Sequence, residues 1–188
     1  MSIVQENTSV IDGNVYEGNA AFTVQSYTEI NSKNGTQFEC QIIFQNIQST
    51  TPQYFSFTTG DDPVIVKSRG VSGEFSNINY DIYKDSTVTG GSSALVSNLN
   101  DRNSVVNQVD VSLNPTVSVK GDLWSPHKIV GSGTNKSVSY GAPQGERILK
   151  ENTSYVVEVI NNDVTTIPIL IVDLSWYQGQ LDLDIRKT

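Results

Sequence analysis

The strongest pattern in the chain is a period of two in its apolar side chains towards the C-terminal end. Across residues 154–160, Tyr155, Val157 and Val159 share one face. Across residues 166–177, Leu170, Val172, Leu174 and Trp176 do the same. Successive side chains of a strand point to opposite sides of its sheet, so both segments predict half-buried strands. Asn161, Asn162 and Asp163 lie between them and tolerate the positive φ of tight turns. These features predict a hairpin over residues 149–177, set mid-sheet in the core. Pro168, lacking an N–H, belongs at the start of its strand or on an edge.

Weaker alternation recurs upstream. It runs through Phe22 and Val24 in residues 20–30, and through Phe38, Cys40 and Ile42 in residues 37–44. Phe55 and Phe57 carry it in residues 54–58, and Ile78, Tyr80 and Ile82 in residues 76–84. Residues 64–66 read as a short apolar strand, residues 105–119 as a strand interrupted by Pro115, and residues 181–185 as a final edge strand. Asn34-Gly35 suits a type I′ hairpin turn, Gly70 to Gly73 reads as a break, and residues 121–145 read as a long polar loop. No stretch of ten or more residues has helical apolar spacing free of Gly and Pro.

The predicted fold is all-β, with no substantial helix. It is an antiparallel two-sheet sandwich of jelly-roll or Greek-key type with about eight to ten strands. Residues 1–19 read as an N-terminal arm or first short strand, and residues 20–188 as one sandwich domain. Composition agrees: Val and Ile total 38 residues against 13 for Ala and Leu, which favours strands over helices.

The net charge of −8, without any Lys/Arg run, argues against nucleic acid and against an anionic membrane surface as partners. A lone cysteine, Cys40, gives no disulfide framework, and the N-terminus has no apolar signal segment. Both suit folding in a reducing cytoplasm. His127 is the only histidine and lies in no nucleophile-elbow pattern. One His and one Cys do not make a nitrogen/sulfur zinc site. The residues therefore show no visible active site and assign no catalytic residue, metal or cofactor, while an oxygen-ligand calcium site at Asp61-Asp62 or Asp182/Asp184 and a carboxylate pair distant in sequence stay open. Trp124, Tyr140 and Tyr177 remain as aromatics for a subunit interface or for stacking on a glycan.

Three stretches then stand out as an ordered set. They are Ile82-Tyr-Lys-Asp-Ser-Thr-Val-Thr-Gly-Gly91, Asn98-Leu-Asn-Asp-Arg-Asn-Ser104 and Ile148-Leu-Lys-Glu-Asn-Thr-Ser-Tyr155. Their order and spacing resemble a group of β-sandwich virion structural proteins of tailed bacteriophages, the capsid decoration (cement) or auxiliary head proteins. The resemblance spans roughly residues 12–179 and implies a non-enzymatic role as a homotrimer on the outer capsid. Its partners would be itself and the major capsid protein or other head proteins. Its location would be the virion, reached from the host cytoplasm. It implies a structural role for the middle motif, with Asn98, Asn100 and Arg102 as a loop clamp or subunit contact. A tail or head fibre domain that binds host-surface glycan is the alternative.

Overall fold

The structure, a computed structural model, describes residues 27–75, 77–102, 105–130, 137–141 and 147–179. The expected arm (1–19) and final strand (181–185) lie outside these residues. In chain order the elements begin with α1 (Tyr27–Lys33), β1 (Gln37–Ile47), β2 (Pro52–Thr58), β3 (Val64–Glu74), β4 (Asn77–Lys84), β5 (Thr87–Thr89), β6 (Ser92–Ser93) and β7 (Val96–Asn98). They continue with β8 (Asp110–Leu113), β9 (Thr116–Val119), β10 (Asp122–Val130), β11 (Ser137–Gly141), β12 (Arg147–Leu149), β13 (Ser154–Asn161) and β14 (Ile167–Gln178).

Two antiparallel sheets face each other, as the alternation requires. One runs β11-β3-β14-β1-β7, with β12 end to end with β11 along β3. The other runs β10-β4-β13-β2-β8-β6, and β5 pairs with β9 in a small separate sheet. The pairing is nested. The first long strand meets the last, Gln37 opposite Tyr177. The second meets β13, Phe57 opposite Tyr155. The third meets β11 and β12, and the fourth meets β10. This is the winding of a jelly roll. An aromatic contact joins the two sheets: Trp176, stacked at 5.9 Å on Phe38 of its own sheet, meets Phe57 of the other edge-on at 5.1 Å.

The predicted hairpin over residues 149–177 is an arch. β13 and β14 are mid-sheet and core-facing, but they belong to opposite sheets, so their apolar faces meet across the core rather than lying side by side. Asn161 holds the crossing. Its wholly buried amide donates to the Ile47 and Thr165 carbonyls (3.1 and 2.8 Å), and its Oδ1 accepts from the Asp163 N–H (2.9 Å).

Asn34-Gly35 ends a helix rather than turning a hairpin. The Gly35 N–H donates to the Ser32 carbonyl and the Thr36 N–H to the Asn31 carbonyl, the two bonds of a Schellman cap, with Gly35 at φ 71°. Gly73 is no break; it lies inside β3, where a Cβ would come within 2.6 Å of the Ile169 carbonyl oxygen. The expected strand over 105–119 is two short strands, β8 and β9, turned at Asn114 (φ 52°). The expected loop over 121–145 contains β10 and β11.

Candidate functional site

The most structured group of polar side chains facing the interior lies where the edge of one sheet meets the edge of the other. β10 supplies Trp124, Ser125 and His127. Its register slips between Leu123 and Ser125, and the extra residue of this bulge is Trp124. The bulge lets Trp124 and Ser125 both sit at the core side, while Leu123 stays exposed. Ser125 and His127, two apart on a strand, share a face. From the opposite sheet, β12 supplies Arg147 and β3 supplies Arg69.

The Arg147 guanidinium lies 4.8 Å over the Trp124 ring, whose centroid is 5.5 Å from that of Tyr155. Its Nη2 donates to Ser125 Oγ at 3.0 Å, and Ser125 Oγ lies 2.8 Å from His127 Nε2. A guanidinium only donates, so the serine accepts from Arg147; with a second lone pair and its own O–H, it pairs with His127 Nε2 in the sense that the imidazole tautomer dictates. Burial, then the Arg69 and Arg147 charges, lower the His127 pKa, with Asp81 opposing. Asp81 Oδ1 accepts from the His127 main-chain N–H (3.3 Å), so it fixes the strand rather than the ring.

Beneath this group is a half-open cavity of about 50 Å³. Its walls are apolar, including Phe55, Phe57, Ile82, Val157 and Leu174, with Tyr80 also lining it. Its least buried lining residues are Val66, Arg69, Trp124 and Arg147, which frame the opening.

A second polar group closes the outer face of β13. Glu158 is buried there, accepting from Tyr54 Oη (2.8 Å), Tyr83 Oη (3.1 Å) and Lys120 Nζ. The Lys120 ammonium lies 5.8 and 5.5 Å from the two tyrosine rings. Burial alone would raise the Glu158 pKa, but the bonds from Lys120 and Tyr54, the Lys120 charge and the Tyr83 bond hold it below the ordinary value. The same pairing raises Lys120.

Among the described residues of this motif (98–102), the asparagine side chains bond backbone on both sides. Asn98 Nδ2 donates to the Gly35 carbonyl (2.7 Å) and Asn100 Nδ2 to the Lys33 carbonyl (2.6 Å), tying this segment to the end of α1. Each amide oxygen also accepts a main-chain N–H two residues on, Asn98 from Asn100 and Asn100 from Arg102. Arg102 joins through its backbone, and its residue is exposed, so the clamp does not need the guanidinium.

The three aromatics do not form one surface. Trp124 is half-buried at the cleft. Tyr177 is buried on β14, with Lys67 Nζ 5.9 Å from its ring centroid. Tyr140 lies on β11, opposite Val71; its side chain is outside the described residues. Tyr177 is 4% exposed; the slip between Ser175 and Trp176 makes Lys67 the extra residue on β3, beside the Tyr177 ring. Arg147, Ser125, Arg69, Tyr80, Glu158 and Lys120 carry no sequence motif. The nearest available signal for the cleft was the spacing of Ser125, His127 and Ile129 within a segment read as loop.

No family model, no curated protein and no solved structure matches the chain.

Proposed function

We propose that the protein is a non-enzymatic virion structural protein of a tailed phage, binding the outer capsid as a homotrimeric decoration or auxiliary head protein. The observation that supports this reading is the segment crossing between the sheets from β6 through β7 to β8. It bears Leu95 and Val106 (83% and 82% exposed) with the partly exposed Leu99 and Val105. Leu and Val held out in water at such density suit a contact surface. The asparagine clamp and the Leu99 and Val105 N–H bonds to the Gln37 and Gly35 carbonyls fix the segment to the body. A fixed apolar surface loses little entropy on docking. One of the three stretches that carry the family resemblance, residues 98–104, lies within this segment and includes Leu99. Oligomeric display would multiply modest contacts into firm capsid attachment.

The test is to mix purified protein with capsids that lack it, and to follow co-sedimentation and, by light scattering, the solution oligomer. A trimer that saturates the capsids, and a folded L95E/V106E double variant that does not, is the expected result. A wild-type protein that leaves such capsids bare sinks the reading. The glycan alternative gains nothing from Trp124, whose ring carries Arg147 on it, or from the buried Tyr177.

A further inference from the structure

We propose that the cleft between β10 and β12 is a binding site for a short aliphatic carboxylate, with its carbon chain in the cavity and its carboxylate on Arg147. The site is separate from the apolar segment above and does not depend on the virion role.

Two observations converge. The first is the cavity, half-open and walled by apolar side chains. An engineered apolar cavity of about 150 Å³ holds benzene, so one of this size accommodates roughly two or three carbons. The second is the opening. Arg147 is held there by the Trp124 face and by one bond to a neutral hydroxyl, Ser125 Oγ. Its other N–H donors have no acceptor among the described residues, and a guanidinium matches a carboxylate bidentately.

The surroundings set the sign of the charge. The cleft presents Arg69 and Arg147 in a protein of net charge −8, and both depress the His127 pKa. A cation would be repelled there and an uncharged chain would gain only its apolar contacts. A bulky anion would not enter. An apolar pocket with a few placed polar groups is the common form of a small-molecule site.

Butyrate is the probe, added to isotope-labelled full-length protein and followed by the Trp124 indole N–H in NMR spectra. We expect saturable shifts with a Kd on the order of 1 mM, as suits so small a ligand. The R147M variant should bind roughly tenfold more weakly, through loss of the charged bonds. The V66F variant, which plugs the opening from a partly exposed position, should not bind at all, and it keeps the test alive if R147M fails to fold. 1-Butanol, with the same chain and no charge, should shift the indole far less. Three results would each overturn the proposal. These are no saturation by butyrate, equal binding of butanol, and undiminished binding by folded V66F.

Discussion

Strands β13 and β14 follow one another in the chain, lie mid-sheet and turn similar apolar faces to the core, yet their outward faces differ. On β14 the outward positions from Ile169 to Ser175 stay near water, with Ile169 partly exposed and Asp173 accepting a bond from Gln41 across the sheet (2.9 Å). On β13 the outward Val156 and Glu158 are as buried as the inward residues. The difference comes from a third party. Lys120, in the link from β9 to β10, reaches over Glu158 and, with two tyrosines, closes that face. A charge can thus be buried on the outside of a sandwich when a neighbouring segment brings its counter-charge and hydrogen bonds.

The largest effect should come from the face both strands share. Trp176→Ala on β14 empties a fully buried ring site and should destabilise by about 3–5 kcal/mol in urea unfolding. A loss below about 1 kcal/mol would mean that the two sheets do not meet through this ring. Next comes the closed face of β13. Lys120→Met leaves the Glu158 carboxylate buried with the tyrosines alone and should cost about 1–2 kcal/mol, a low figure for a buried pair because Lys120 is itself half-exposed. In a double-mutant cycle with Glu158→Gln, the two losses should be less than additive. Full additivity would show that the pair is not coupled.

Acid separates the faces further. The folded pKa of Glu158 lies below its ordinary value of 4.5. Its contribution is therefore complete above that value and is lost as pH falls from 4.5 towards the folded pKa. Glu158→Gln should remove that part of the acid sensitivity, visible as a flatter slope of stability against pH below 4.5. The smallest effect belongs to the open face. Asp173→Ala should change stability by no more than about 0.5 kcal/mol, and a larger loss would mean that this face is covered too.

The sequence made the fold class and both central strands legible, because period two reports burial on one side directly. Period two does not report which sheet a strand joins. That is why the Leu170 and Tyr155 segments read as hairpin partners, when Asn161 carries the chain from one sheet to the other. The helix before Gly35 was invisible because it is only seven residues long, too short for an apolar period. Without it, Asn-Gly had only its hairpin meaning. The cleft was hidden for a different reason. Ser125 and His127 are polar residues turned inward, so their strand looks like loop, and Arg147 reaches them only through pairing with β3. For the asparagines at 98 and 100 the sequence offered only the residue type; their partners, the Gly35 and Lys33 carbonyls, lie more than sixty residues away.

The nested pairing has a consequence for the order in which the protein is made. A strand in a meander finds its partner within moments of leaving the ribosome. Here Gln37 must wait for Tyr177, so β1 emerges early and stays incomplete until almost the whole sandwich has been translated. Contacts so distant in sequence close slowly. During that interval Phe38, Ile42 and Phe44 lack the cover that β14 gives them in the finished sandwich.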